Sequence, residues 1–189
     1  MWEEDFEACS VGIHPWHIDS KQLIKQFFLL EDLGKKENVK AIGEIGLDKS
    51  IEIPLELQIR VLEQQIEIAD YHQKPIIIHC VSAFYELISI KKRIKTQVPF
   101  IIHGFNKKEQ VLEELLKNGF NISLGAALLQ AESNASQVIS LIPLERLFLE
   151  TDVKDLPIQD IYLAAAERLQ IDISTLKSTI NNNYNHLFS

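Results

Sequence analysis

The chain has 189 residues, of which 46% are hydrophobic and 24% are charged, with seven Gly and six Pro. This composition excludes disordered, collagen-like and coiled-coil proteins and is typical of one globular domain. Two cysteines, Cys9 and Cys80, are too few for a disulfide framework, so we expect a reducing compartment. The sequence has no apolar run of about eighteen residues and it starts with acidic residues, and both features predict a cytoplasmic protein with no membrane partner.

The charge distribution limits how the protein could meet a nucleic acid. The formal net charge is −8, and no long Lys/Arg stripe accompanies it. Such a chain does not hold duplex nucleic acid by its general surface field. We therefore expect a phosphate-bearing substrate to be recognised at a local site.

Six short apolar runs rich in β-branched residues alternate with amphipathic stretches along the chain. Most of these runs are continuous, which indicates parallel strands buried on both faces. The predicted strands are Cys9–Ile13, Val39–Ile45, Pro75–His79, Pro99–His103, Phe120–Leu124 and Leu147–Glu150. Because no linker or low-complexity tract divides the chain, residues 1–189 are predicted to form a single α/β domain.

Helices are predicted between the strands from apolar residues spaced three and four apart. The apolar stripes are Leu23, Phe27 and Leu30, stopping at Gly34; Leu55, Ile59, Leu62, Ile66 and Ala69, opened by Pro54; Val111, Leu112 and Leu115, ending at Gly119; and Leu176, Ile180, Tyr184 and Leu187. Asn106 and Glu109 have the spacing of a capping box.

The number of strands leaves two architectures open. A closed (β/α)₈ barrel takes about 250 residues, roughly thirty for each unit, and six units come near the present length. The chain therefore forms either an open doubly wound sheet or a barrel that lacks a part.

Side chains that can bind metals occur where five of the six predicted strands end, which is where parallel α/β proteins place their active sites. These residues are His14, Glu44, His79, His103 and Asp152. Taken singly, each has a structural explanation, since a strand-end His is usually a hydrogen-bonded side chain, Glu44 could cap a helix, and Asp152 could be an N-cap or a turn residue. Together, a carboxylate and two imidazoles from neighbouring strands match the ligand preferences of Zn²⁺, Mn²⁺ or Co²⁺.

Two features next to these residues each have two interpretations. Gly43 and Gly46 flank Glu44, and they either let a ligand or backbone approach closely or form a bulge at a strand end. Trp16 is either a loop anchor or a stacking platform for a nucleobase. The sequence does not decide between these alternatives.

Five motifs, in this order and at these intervals, resemble those of the TatD-type metal-dependent hydrolases. They are Gly-Ile-His-Pro from Gly12, Gly-Glu-Ile-Gly-Leu-Asp from Gly43, Ile-Ile-His ending at His79, His-Gly-Phe from His103 and Leu-Glu-Thr-Asp ending at Asp152. The resemblance covers the chain from about Ser10 to its end, and the motifs are specific as a set. It implies a TIM-barrel-like fold of the amidohydrolase type and metal-dependent hydrolysis, with deoxyribonuclease activity in several members.

The resemblance also implies a role for each site residue. Glu44 matches the carboxylate that bridges two metal ions, and His79 and His103 match the imidazoles that complete one of the two metal sites. Asp152 matches the aspartate that binds the other ion and takes the proton of the attacking water. His14 matches a histidine at the rim of the site that contacts the substrate phosphate. The implied cofactors are one or two divalent ions per chain (Zn, Mn, Mg or Co), and the implied substrates are DNA ends or small phosphorylated molecules.

Two departures from the family pattern change the expectation. No His-x-His pair precedes Cys9, although the family's first strand ends in one, and Cys80 and Val81 stand where the family usually has a phosphate-facing Ser-Arg pair. We therefore expect a TIM-barrel-like fold that is incomplete at its N-terminus, with about six of eight strands. We also expect one complete metal site, a second that is empty or weak, and impaired activity.

The predicted function is hydrolysis of phosphodiester bonds in DNA or small nucleotides by metal-activated water. Two alternatives stay open. The same site could hydrolyse an amide, lactone or ester, or the chain could be a non-catalytic descendant that keeps the fold as a binding module. The sequence gives no indication of the oligomeric state.

Overall fold

The computed structural model describes residues 7–152 and 154–188. The acidic first residues, on which the expected location partly depends, lie outside this range. The chain divides into two compact units, the first extending to Phe100 and the second spanning Ile101–Leu187. The single domain predicted for residues 1–189 stays a prediction.

Three parallel strands form the centre of the first unit. Strand β1 (Cys9–Val11) pairs with β2 (Val39–Asp48), and β2 pairs with β3 (Ile76–Val81). A short 3₁₀ helix (Pro15–His17) follows β1, and the unit contains helices α1 (Leu23–Gly34), α2 (Leu55–Tyr71) and α3 (Phe84–Ile94). All three strands were predicted, and β2 and β3 extend beyond their expected ends to Asp48 and Val81.

Helix α2 packs on β2 through the predicted apolar stripe. Leu62, Ile66 and Ala69 are fully buried, and β2 is buried along most of its length, as expected for a strand covered on both faces. Pro54 is the residue immediately before the helix, where its fixed φ suits the extended entry of the chain. The sequence predicted Pro54 in the first turn of the helix, whereas the helix begins at the next residue, Leu55.

The second unit begins within strand β4 (Phe100–Ile102) and repeats the alternation of strands and helices. It contains α4 (Glu109–Lys117), β5 (Phe120–Leu124), α5 (Asn134–Val138), β6 (Leu147–Leu149), α6 (Ile158–Leu169) and α7 (Ile173–Phe188). Strands β5 and β6 are parallel, with Ile122 opposite Leu147. With β4, the part of the chain that the structure describes contains six strands, the number predicted.

The predicted capping box at the start of α4 is wrong. Helix α4 follows Lys108 and has no side-chain cap. The Oδ1 of Asn106 instead accepts a hydrogen bond from the backbone N of Ala135, at 3.0 Å, at the start of α5. Asn106 therefore ties the loop before α4 to the start of α5.

The predicted apolar face of α7 is also wrong at one position. Tyr184 is exposed, whereas Asn183 is buried with Leu176 and Ile180. The side-chain amide of Asn183 donates to the carbonyl oxygens of Leu144, at 2.7 Å, and Leu147, at 2.9 Å. A buried polar group satisfies these carbonyls at the start of β6, a requirement that apolar spacing does not reveal.

None of the helices within 7–152 and 154–188 has both the length and the apolar character that crossing a bilayer requires.

Candidate functional site

Three of the predicted site residues lie together in the first unit, and we call them the first cluster: His14, Glu44 and His79. One potential ligand atom from each lies within 4.8 Å of the others. Nε2 of His14 is 4.0 Å from Oε2 of Glu44, and the rings of His14 and His79 have centroids 4.5 Å apart. His14 follows β1, Glu44 lies in β2 and His79 in β3, so three parallel strands bring these side chains to one place.

Asp48, at the end of β2, orients the imidazole of His79. Its Oδ2 lies 3.2 Å from Nε2 of His79 and 2.7 Å from the indole Nε1 of Trp16, which donates to it. Because an ionised carboxylate only accepts hydrogen bonds, Nε2 of His79 must carry the proton in this contact. In the neutral imidazole the lone pair is then on Nδ1, as metal coordination requires.

The carboxyl group of Asp48 is 1% exposed but remains ionised. Burial raises its pKa, but hydrogen bonds from the Ser50 hydroxyl, the Trp16 indole, the Ser50 backbone N and His79 outweigh burial and hold the pKa well below its usual range. Ser50 donates to Oδ1 from its backbone N, at 2.8 Å, and from Oγ, at 2.5 Å. Every oxygen of this buried carboxylate is thus satisfied.

A hydrogen bond also fixes the tautomer of His14. Its Nδ1 accepts from the backbone N of Trp16, at 3.2 Å, at the first turn of the 3₁₀ helix. Neutral His14 therefore carries its proton on Nε2, the atom that faces Glu44. In this state His14 is a hydrogen-bond donor toward the cluster, whereas His79 offers a lone pair.

Two buried glutamines of α2 hold the backbone on either side of this cluster. The amide of Gln65 accepts from Ile13 N, at 2.6 Å, and donates to Ile13 O, at 3.1 Å. The amide of Gln58 accepts from Asp48 N, at 2.7 Å, and donates to Asp48 O, at 2.9 Å. Each side-chain amide thus binds both the N–H and the C=O of one residue. Gln65 does so at Ile13, the neighbour of His14, and Gln58 does so at Asp48.

The glycines around Glu44 serve close approach of the backbone. A Cβ at Gly43 would lie 2.6 Å from Cβ of Ile77, and one at Gly46 would lie 1.8 Å from the carbonyl O of His79. Gly46 has φ +152°, and the register between β2 and β3 shifts between Ile42 and Ile45. These glycines therefore allow close approach of the backbone, in a segment where the strand register is irregular.

The second unit contains a related arrangement, which we call the second cluster: His103, Ser123 and Glu150. Oε1 of Glu150 lies 3.2 Å from Nδ1 of His103 and accepts from the backbone N of Gly104 at 2.6 Å. Ser123, in β5, donates its hydroxyl to Oε2 of Glu150. The carboxylate engages Nδ1, so neutral His103 carries its lone pair on Nε2.

Asp152 lies in a turn of the second unit. It is exposed and has φ +51°, and Lys154 N donates to Thr151 O at 3.1 Å. The residue before helix α6 is Pro157, so Asp152 is not the N-cap of that helix. Its exposure leaves the carboxylate accessible to a small molecule or an ion.

The donors of the first cluster fit a divalent cation of borderline softness. The carboxylate of Glu44 and the imidazole lone pair of His79 are ligand types that Zn²⁺, Mn²⁺ and Co²⁺ accept, whereas the Nε2–H of His14 can donate to a group bound beside the ion. The buried carboxylate behind His79 is the outer contact that ligating histidines usually have. These residues can hold such an ion, and the chemistry of the donors does not say which one.

Comparison with known proteins identifies the family. The family model described as TatD related DNase matches residues 2–189. The chain belongs to this family. Among TatD relatives, the Escherichia coli protein named uncharacterized metal-dependent hydrolase YjjV is 29% identical over 152 residues, which are 79% of this chain and 59% of that protein. The human 3′-5′ RNA nuclease TATDN2 is 33% identical over 162 residues, 80% of this chain and 21% of the relative.

Solved structures of TatD proteins establish the fold. The crystal structure of YjjV from E. coli matches with a TM-score of 0.85 and 25% identity, covering 96% of this chain and 76% of that one. A TatD hydrolase from Entamoeba histolytica matches with a TM-score of 0.82 and 20% identity, covering 96% and 74%. The predicted TIM-barrel-like α/β fold is confirmed. The chain spans less than two thirds of the length of the curated relatives named above.

His14, Glu44 and His79 lie together in the first unit, and His103 and Asp152 belong to the second unit. The prediction that Glu44, His79 and His103 share one cation stays a prediction. Sequence reasoning missed Asp48 and Glu150 as partners of the histidines. A signal existed for both, since Asp48 ends the Gly-Glu-Ile-Gly-Leu-Asp motif and Glu150 stands in the Leu-Glu-Thr-Asp motif.

Proposed function

We propose that this chain is the core of a metal-dependent hydrolase that cleaves phosphodiester bonds at nucleic-acid ends or in small nucleotides. The observation that carries the proposal is the pairing of both candidate ligand histidines with carboxylates, Asp48 behind His79 and Glu150 behind His103. Such pairing fixes the tautomer and the ring orientation that coordination needs.

The named relatives support the choice of substrate. One relative is called a 3′-5′ RNA nuclease, and another, from Dickeya dadantii, a 3′-5′ ssDNA/RNA exonuclease. The latter is 28% identical over 174 residues, which are 87% of this chain and 63% of the relative. The net charge of −8 favours recognition of a strand end at a local site over recognition of a long duplex.

Each site residue has a role in this proposal. A bound divalent cation supplies Lewis acidity, which makes water a better nucleophile and neutralises phosphoryl charge. Glu44, His79, His103 and Asp152 are the proposed ligands. His14 donates a hydrogen bond from its Nε2–H to a phosphoryl oxygen, and a carboxylate oxygen of Asp152 accepts a proton from the attacking water. We further propose that each chain holds one or two ions of Zn, Mn, Mg or Co, and that the protein is cytoplasmic.

The test combines metal content with substrate choice. The purified chain is assayed for bound metal per chain, and for cleavage of bis(4-nitrophenyl) phosphate and 4-nitrophenyl acetate. We expect bound divalent metal and cleavage of the phosphodiester. Glu44→Gln should lose metal and activity together, because it removes a ligand charge. Asp152→Asn should lose turnover with a smaller loss of metal, because its amide cannot accept the proton.

Glu67→Gln, on the exposed side of α2, is the matched control and should retain both properties. Cleavage of the carboxylic ester alone would favour the amide, lactone or ester alternative. Tight metal binding with no turnover of either substrate would favour a non-catalytic descendant.

A further inference from the structure

Trp16 is exposed and yet held in place. Its side chain is 57% exposed, an unusual state for the largest apolar residue. At the same time its indole Nε1 donates to Oδ2 of Asp48 at 2.7 Å. The acceptor is a buried, ionised carboxylate at the end of β2, so the tether is a charge-assisted hydrogen bond to a rigid part of the fold.

The tethered indole lies beside the first cluster. Its ring centroid is 5.1 Å from that of His14 and 5.8 Å from that of His79. Both pairs are close to perpendicular, with interplanar angles of 87° and 76°. Both contacts are therefore edge-to-face, and neither imidazole stacks in parallel on the indole.

The local chain further restrains Trp16. It is the central residue of the 3₁₀ helix Pro15–His17, whose Pro15 is buried, and its backbone N donates to Nδ1 of His14. A ring fixed at its backbone, its neighbour and its N–H loses little conformational entropy when a ligand binds. Preorganisation of this kind favours binding, whereas a freely rotating exposed aromatic ring would lose freedom on contact.

We propose that Trp16 is a stacking platform for an unpaired nucleobase whose phosphate meets the first cluster. The proposal rests on the proposed function, because the cluster supplies the contact for the phosphate. Stacking on an indole is tolerant of base identity, since every base has a π face. The site would therefore accept a frayed or single-stranded end with little sequence preference, and a base kept within a duplex stack would not reach the platform.

This assignment also fits the charge of the chain. With a net charge of −8, extended tracking of a phosphate backbone would be opposed by the general field. Stacking gains affinity from a neutral base and needs no basic groove. Recognition would then be concentrated on the terminal nucleotide.

The test compares two single-stranded probes of six thymidines, each with a phosphorothioate at the terminal 3′ linkage to resist cleavage. One probe is intact and the other lacks its 3′-terminal base. We expect the wild-type chain to bind the intact probe about tenfold more tightly, as stacking of one base predicts. Trp16→Leu should bind both probes with the affinity that the wild type shows for the abasic one.

Trp16→Phe keeps an aromatic face but loses the N–H that reaches Asp48, so its preference should be intermediate. Phe28→Leu replaces another exposed aromatic residue, on α1, and should keep the full preference. Quenching of indole fluorescence gives a second measurement: the chain has two tryptophans, Trp2 and Trp16, and Trp16→Phe supplies the Trp2 background. The intact probe should quench the Trp16 signal, and the abasic probe should quench it far less.

The outcomes separate this proposal from the proposed function. Equal binding of both probes by the wild type, or a preference that persists in Trp16→Leu, would overturn the platform even if phosphodiesters are cleaved. A preference that depends on Trp16 in a chain that cleaves no phosphodiester would support the platform and refute the hydrolase.

Discussion

The two polar clusters use the same device at different depths. In the first, a carboxylate that is 1% exposed contacts Nε2 of His79, and in the second, a carboxylate that is 21% exposed contacts Nδ1 of His103. Asp48 takes its other hydrogen bonds from Trp16 and Ser50, whereas Glu150 takes them from a backbone N–H and Ser123. The comparison teaches that either ring nitrogen of a histidine can be left with the lone pair for a metal ion. A carboxylate that accepts a hydrogen bond from the other nitrogen decides which one.

The largest expected difference between the clusters concerns stability. Asp48→Ala leaves the Trp16 and Ser50 donors and His79 without their buried partner, and we expect it to lower the free energy of unfolding by about 3 kcal/mol. Glu150→Ala exposes its former partners to water and should cost about 1 kcal/mol. Chemical denaturation of both variants measures the two values. Equal losses would show that depth does not distinguish the two carboxylates.

A second difference concerns tautomers and metal affinity. Asp48→Asn should weaken metal binding roughly 10- to 100-fold, as loss of an outer carboxylate usually does, and Glu150→Gln should act similarly on a site that includes His103. Nitrogen NMR of the metal-free chain should show the proton on Nε2 of His79 and on Nδ1 of His103. Asp32→Asn, on the exposed surface of α1, serves as the control. The same ring nitrogen protonated in both histidines would contradict the comparison.

The smallest effects are expected at the two serines that donate to the carboxylates. Ser50→Ala and Ser123→Ala each remove one hydroxyl, so each should lower the free energy of unfolding by about 1 kcal/mol or less. Ser50 keeps its backbone N–H bond to Asp48 in the variant, and Ser123 has no such second bond to Glu150 among the contacts described above. Thermal unfolding should therefore show a lower melting temperature for Ser123→Ala than for Ser50→Ala. The opposite ranking would show that the backbone hydrogen bond of Ser50 does not compensate for the lost hydroxyl.

The strands could be predicted from the sequence, and much of the polar detail could not. Continuous runs such as Phe120–Leu124 reveal buried strands because the apolar residues themselves form the structure. Helix α6 has no strong stripe, since two of its three buried residues, Ala165 and Ala166, are small. Periodicity detects large side chains, and it is a weak guide where alanines make the contact.

The candidate site divides in the same way. Glu44 and His79 could be assigned from their motifs, because metal-binding residue types at strand ends are visible in a sequence. Asp48 and Glu150 stand inside the same motifs, yet the sequence does not state which acid faces a ligand atom and which faces an imidazole. That choice depends on three-dimensional neighbours such as Trp16 and Gly104, which pairwise spacing along the chain does not specify.

The paired glutamines of α2 have a consequence for local opening of the fold. Ile13 lies beyond the last residue of β1, where backbone amides ordinarily exchange with solvent quickly, yet its N–H is bonded to the buried amide of Gln65. Asp48 N is likewise bonded to Gln58. Exchange at these two positions should therefore require α2 to separate from β2, and it should proceed with the slow core amides. The edge of the first cluster would then open only with the helix behind it, which ties the rigidity of its histidines to the cooperative unfolding of that unit.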